Sequence, residues 1–195
     1  MNFKIVGTDT VRVLSFRIKN SGAGRLSGNV DPSGLAAPLS MTGGAGAFSL
    51  AHGQSTIVTV QAAPIEPGAF TGTVSISSSD PKHPYALVTV IGNAAPGKIK
   101  VPAAVNFGRV IVGTAATRVV RIGNTGPGVL HGVVSAVAPP FSVGAGSFTL
   151  SQNQSVPVVL QFAPVSTQPA STILTISNDD PPNDVVNIPV TGSGE

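Results

Sequence analysis

Two segments a hundred residues apart carry the same pattern, and this recurrence constrains the fold more than any other feature of the chain. Ala47–Pro64 reads AFSLAHGQSTIVTVQAAP and Ser147–Pro164 reads SFTLSQNQSVPVVLQFAP; both hold Phe-x-Leu, then Gln-Ser, then alternating apolar residues and a closing Ala-Pro. Repeats of about 20–50 residues make solenoids or propellers whose units cannot fold alone, whereas a period near 100 gives each copy its own core. The 195 residues therefore read as two tandem domains, 1–95 and 96–195, joined near Ala94–Lys98.

Each copy is all-β by composition and by period. The chain has 23 Gly, 17 Pro and only 10% charged residues, with a mean hydropathy of +0.33, too apolar and too weakly charged for disorder. Its apolar residues are largely Val, Ile, Leu and Ala, punctuated by turn formers, which favours strands over helices. In the first copy Leu14, Phe16 and Ile18 alternate with Ser15, Arg17 and Lys19; in the second, Val120 and Ile122 alternate with Val119 and Arg121. Period two with one polar side marks half-buried strands. Asn20-Ser21-Gly22 and Asn124-Thr125-Gly126 follow, read here as tight reversals built from residues that tolerate positive φ. Further strands are expected at Leu26–Val30 and Leu130–Val137, around Phe48 and Phe148, and along the apolar runs ending at Ala63-Pro64 and Ala163-Pro164. A last hairpin turns at Asp80-Pro81 and Asp180-Pro181. Strands this short and this evenly spaced are the sequence signature of an immunoglobulin-like sandwich.

A gapless match of Val6-Gly7-Thr8 to Val112-Gly113-Thr114 sets Met1 opposite Phe107. On that register the opening strand of the first repeat is missing. It would lie upstream in a longer array or be supplied by another subunit through a strand edge, which makes self-association one expectation.

The ordered set Phe107-Gly108, Val112-Gly113-Thr114, Ile122 with Asn124-Thr125-Gly126, Phe148, Phe162-Ala163-Pro164, Asn178-Asp179-Asp180-Pro181 and Gly192 resembles the ASH domain group, named after abnormal-spindle and Hydin proteins, with bacterial relatives in choice-of-anchor D surface proteins. The first repeat departs from the pattern, with Ala62 at the place of Phe162 and Ser78-Ser79 for Asn178-Asp179. The resemblance implies two immunoglobulin-like, major-sperm-protein-like sandwiches acting as a scaffold or interaction module and not as an enzyme. It further implies either a ciliary or centrosomal setting, as in eukaryotic members, or a bacterial surface or secreted one. Five lysines amid abundant Ala, Gly, Val and Pro favour the second.

The chemical inventory is thin. With no cysteine there is neither a disulfide framework nor thiolate chemistry. His52, His83 and His131 sit in or beside expected turns and find Gln152, Asn183 and Ser27 at their places in the other copy, which reads as loop side chains and not as bases or ligands. Asn178–Asp184 gathers oxygen ligands, but its two prolines and missing glycine suit a solvated hairpin tip better than a calcium loop. Gly43–Gly46 and Val143–Gly146 lead into strands, not helices, so they are bends and not phosphate cradles. Asn153-Gln154-Ser155 is a glycosylation sequon that reads equally as a polar link between strands. No cofactor or metal is implied, and the longest apolar run is far below the roughly 20 residues that span a bilayer.

Charge is the one patterned feature left. Ten of the eleven Lys and Arg fall within Lys4–Arg25 and Lys98–Arg121, so corresponding strands are basic in both copies. Arg17, Lys19 and Arg121 are expected to point outward and to contact a protein partner. A net charge of +3 and the lack of interleaved exposed aromatics argue against nucleic acid. The function expected is a non-enzymatic tandem spacer or scaffold of a bacterial surface or secreted protein. A cytoskeletal adaptor or an accessory domain of a larger enzyme are the alternatives.

Overall fold

Alternating apolar residues and proline-rich punctuation yield strands throughout and no helix in the computed structural model, which describes Met1–Glu195. The chain forms two compact units, Met1–Ala95 and Pro96–Glu195. Each is a two-layer β-sandwich with a single core.

The first unit comprises β1 (Asn2–Gly7), β2 (Arg12–Lys19), β3 (Leu26–Asp31), β4 (Leu39–Gly43), β5 (Gly46–Leu50), β6 (Ser55–Ala62), β7 (Gly68–Ser78) and β8 (Tyr85–Ala95). One sheet runs β1-β8-β7-β3-β5 and the other β2-β6-β4. The second unit comprises β9 (Ile99–Lys100), β10 (Val105–Val110), β11 (Ala116–Asn124), β12 (Leu130–Val134), β13 (Phe141–Val143), β14 (Gly146–Leu150), β15 (Ser155–Phe162), β16 (Pro169–Asn178) and β17 (Val185–Gly194). Its sheets run β10-β17-β16-β12-β14 and β13-β15-β11-β9. Apart from β9 the two topologies coincide strand for strand.

The opening strand of the first repeat is present, contrary to the expectation from Val-Gly-Thr. β1 pairs in parallel with β8 as β10 pairs with β17, with the same irregularity in register, between Asn2 and Ile5 and between Asn106 and Arg109. The true equivalence sets Phe3 against Phe107. Asn2 Oδ1 accepts the amide of Lys4 at 2.7 Å and Asn106 Oδ1 that of Gly108 at 2.8 Å, and these two residues share a positive φ of 57° and 70°. The Val-Gly-Thr letters lie two positions out of this register. What fixes the register is the Asn-capped bulge, and Lys4, a poor residue for positive φ, hides it in the first copy.

The stretches before the Phe48 and Phe148 strands also hold strands that the alternating pattern did not mark. β4 and β13 pair with the same strand that closes on Ala-Pro in their unit, through Leu39↔Ala62 and Phe141↔Phe162. Between β4 and β5 the chain passes from one sheet to the other. Gly44, at φ +81° with Ile57 O 2.4 Å from where a Cβ would sit, makes that bend.

Core packing explains the Ala62 departure. In the second unit Phe162 is fully buried, stacked on Phe141 at 4.6 Å between ring centroids and tilted against Phe107 at 5.5 Å. Its ring lies over Gly192, where a Cβ would come within 2.7 Å of it. In the first unit Ala62 is buried in its place, and the ring comes instead from Phe70 on the neighbouring sheet, 2.3 Å from a Cβ at Gly92 and 6.2 Å from Phe3. Ala170 stands where Phe70 would be, so one aromatic volume has moved between strands while the core stayed filled.

Candidate functional site

Arg17 and Lys19 project from the outward face of β2, paired across the ladder with Ile57 and Ser55, and both are exposed. Arg121 holds the same position on β11, opposite Pro157, and is also exposed. The residue corresponding to Lys19 is Gly123, so the basic row is longer in the first unit. Not every cation of these windows is free. Arg12 donates to the carbonyls of Phe3 and Ile5 at 3.0 and 3.3 Å, and Arg118 lies 5.6 Å from the Phe107 ring centroid while donating to its carbonyl at 3.5 Å. These two tie the short sheet to the opening strand and serve the fold.

The Asn-x-Gly segments are not positive-φ reversals; only Lys4, Asp9 and Asn153 have positive φ among non-glycine residues, and neither Gly22 nor Gly126 is left-handed. Asn20 and Asn124 are instead buried brackets. Asn124 Nδ2 donates to Gly128 O at 2.7 Å and Leu150 O at 2.9 Å, and Asn20 Nδ2 to Gly24 O and Leu50 O at the same distances. The side-chain amide thereby stands in for a peptide unit and bonds backbone carbonyls of the adjoining turn and of the last residue of β5 or β14.

Around that bracket the second unit builds an edge. Asn124 Oδ1 accepts two amides, Gly126 N and Lys98 N, each at 2.9 Å. The next residue, Ile99, donates its amide to Asp180 Oδ2 at 2.9 Å, and Thr125 N returns to Lys98 O at 2.8 Å. β9 then pairs antiparallel with β11, Ile99 opposite Asn124 and Lys100 opposite Gly123. Asp180, expected at a solvated tip, is 3% exposed. Sequence reasoning gave it a turn role only, since nothing in Asp-Pro itself announces a partner 81 residues away. Asp179 likewise accepts the His131 amide at 2.9 Å through Oδ1, and Asn178 Oδ1 that of Asp180 at 3.0 Å. Asn178, Asp179 and Asp180 thus each engage a backbone amide through a side-chain oxygen.

In the first unit Asp80 is exposed enough to be read by solvent. Its carboxyl lies below the ordinary carboxylate value, chiefly because the Lys82 amide donates to Oδ1 at 2.9 Å and secondarily because the His83 ring meets Oδ2 at 3.2 Å. The other two histidines stand apart from it, His52 on Gly22 O at 2.9 Å and His131 on Thr149 Oγ1 at 3.1 Å. No three acidic, histidine or cysteine side chains converge as a metal set, and no helix is long and apolar enough to cross a membrane.

Residues 95–184 match the family model described as ASH, abnormal spindle-like microcephaly-associated, ASPM-SPD-2-Hydin. No curated protein matches the chain in sequence. Among solved structures the chain is similar to a protein of unknown function from Porphyromonas gingivalis W83, at 16% identity and a TM-score of 0.45, covering 98% of this chain and 95% of that one. It is similar to the ASH/PapD-like domain 7 of human CEP192 at 12% identity and a TM-score of 0.43, over 50% of this chain and 85% of that one. The periplasmic chaperone SfaE gives 12% identity and a TM-score of 0.33, over 98% and 95%. The likeness carried by the motifs of the second repeat thus holds: residues 95–184, most of the second unit, match the ASH domain family model.

Proposed function

We propose that this chain is a non-enzymatic structural and interaction segment, two immunoglobulin-like sandwiches in series that act as a spacer or scaffold in a bacterial surface or secreted protein and meet a protein partner along the short sheet. The observation that carries the reading is the placement of Arg17 and Lys19 together, and of Arg121 at the equivalent site, on an exposed sheet face beside a strand edge. Cations placed there suit a partner of opposite charge and also keep the edge from pairing indiscriminately. The polar side chains that carry most chemistry elsewhere are engaged in architecture: Asn20, Asn124 and Asp180 bond backbone groups of turns and edges. Protease treatment of intact producing cells tests the placement. Cleavage of the chain before lysis is expected, and full protection until lysis would remove the surface reading. Co-sedimentation with microtubules that weakens with salt and with Arg17→Glu would favour the cytoskeletal alternative instead.

A further inference from the structure

The outward faces of the two short sheets, β2-β6-β4 and β13-β15-β11-β9, carry charge of one sign only. None of the eight Asp and Glu falls in any of their strands. In the first unit Arg17 and Lys19 follow one another along the outer face of β2, opposite Ile57 and Ser55. In the second unit Arg121 and Gly123 take those positions, opposite Pro157 and Ser155. The second cation comes there from a different strand. Lys100 on β9 pairs with Gly123, and because Ile99 packs on the core, Lys100 faces outward beside Arg121. Packing does not demand the exchange. A Cβ at Gly123 would meet no atom closer than 3.7 Å, and the residue has no positive φ. Two cations about 7 Å apart beside a serine are thus built twice, by two routes. All four are exposed, and none enters an ion pair, the one such pair in the chain being His83 with Asp80. Apolar surface adjoins both corners: Ile57 across from Arg17 is 53% exposed, and the paired Val119 and Val159, next to Arg121, are 58% and 52% exposed.

We propose that this corner of each unit docks an extended acidic stretch of a partner protein, with two carboxylates on alternate residues and an apolar side chain after them. Alternate side chains of an extended segment point the same way at about 7 Å, which is the spacing of the cations. One carboxylate meets Arg121 or Arg17 and the other Lys100 or Lys19. The apolar residue rests on Val119 and Val159 in the second unit and on Ile57 in the first. Charge alone would equally suit an anionic polysaccharide or a nucleic acid, and the apolar surface decides between them. Exposed valines gain little from sugar hydroxyls or phosphates, and the rings of these strands, Phe16, Phe141 and Phe162, pack on the cores, where they cannot stack a sugar or a base. Cations bordering an apolar patch suit a protein surface of opposite charge. This docking rests on the reading of the chain as an interaction module; it adds Lys100 to the partner surface and gives the chain two equivalent sites.

Titration of the isotopically labelled 195-residue chain with the synthetic peptide GESESVG and with its neutral counterpart GQSQSVG tests this. The acidic peptide is expected to give saturable amide shifts on β2 and β6 and on β9, β11 and β15. At low salt it should bind roughly fivefold more tightly than the neutral one, as two exposed charge pairs allow, and the preference should fade as salt rises. Lys100→Gln should weaken binding to the second unit roughly twofold to threefold and leave the first unit, in the same sample, unchanged. Adding Gly123→Lys should restore it, because a lysine there stands where Lys19 stands in the first unit. Replacing the valine, as in GESESSG, should weaken binding to both units. Absence of saturable shifts, equal binding of GESESVG and GQSQSVG, shifts away from the short sheets, or failure of Gly123→Lys to rescue would overturn the proposal. So would displacement of the peptide by heparin together with equal binding of GESESSG, which would assign the corner to an anionic polysaccharide. Peptide failure with surface cleavage intact removes only this partner chemistry; protection of the chain in intact cells removes the broader reading.

Discussion

The Ile99 amide donates to Asp180 Oδ2 at 2.9 Å and fastens the start of the second unit to the turn of its last hairpin. That hydrogen bond joins residues far apart in sequence and is sheltered, since Asp180 is 3% exposed. Removing a charged acceptor from a partly buried amide costs about 1–3 kcal/mol. Asp180→Ala is therefore expected to lower the stability of the second unit by that amount and to speed exchange of the Lys98, Ile99 and Thr125 amides. Asp180→Asn keeps an acceptor oxygen and should lie much closer to the parent. Thermal unfolding with amide exchange reads both, and equal losses for Ala and Asn would assign the effect to charge and not to this contact.

Lys82 and Pro182 stand at the same place in the two hairpins, and only the lysine has an amide to give Asp80. The amide holds the Asp80 carboxyl below the ordinary 3.8. A carboxyl whose folded value is depressed adds stability that is fully present above the unfolded value and is lost as pH falls from 3.8 through the folded midpoint. In Lys82→Pro the largest cause is gone, so the Asp80 midpoint should rise towards 3.8 in a carbon-detected NMR titration, with the remaining depression due to His83. An unmoved midpoint would show that the histidine, and not the amide, dominates.

How far the sequence led depended on whether a residue's role was local. Alternation along Arg12–Lys19 and Ala116–Asn124 revealed the half-buried strands because a strand's two faces are written two residues apart. The outward position of Arg17, Lys19 and Arg121 followed from the same period. The bracket function of Asn20 and Asn124 did not, since an Asn-x-Gly that turns the chain and one that replaces a peptide unit share the same letters. The opening strand was hidden for another reason. Its marker is a bulge that glycine fits and Lys4 merely tolerates, whereas Val-Gly-Thr, the stronger match in letters, falls on two different backbone positions. Most distant of all is the Asp180 contact, which depends on where a crossing segment passes and not on any neighbour in sequence.

Phe70 and Phe162 fill one volume from two different strands, each ring lying over a glycine in the last strand of its unit, Gly92 in β8 or Gly192 in β17. Truncating a buried phenylalanine costs about 3–5 kcal/mol because the cavity only partly collapses. Phe70→Ala should cost the first unit about that much. Adding Ala62→Phe restores the arrangement of the second unit and should recover more than half of the loss. Chemical denaturation of the single and double variants measures the coupling. A double variant no better than the sum of its parts would mean that the first unit's backbone no longer accepts the ring from β6.

Gly22 and Gly126 occupy equivalent turns but meet different surroundings, and this difference gives the sharpest test of how the units diverge. A Cβ on Gly126 would stand 2.5 Å from Lys98 N, 2.6 Å from Pro96 O and 2.7 Å from the Gly97 carbonyl carbon, all backbone atoms that cannot swing away. One on Gly22 would touch only Asn20 Oδ1, at 3.5 Å, an ordinary contact. Neither glycine has the positive φ that would penalise alanine for conformational reasons, so steric fit alone decides. Gly126→Ala is expected to cost about 1–3 kcal/mol, the usual range for overpacking, and to release Pro96–Lys100 from β11 as faster amide exchange. Gly22→Ala should change stability by less than about 0.5 kcal/mol. The contrast works because the two substitutions are chemically identical: if both variants lose stability alike, the edge segment is not what makes the second glycine necessary.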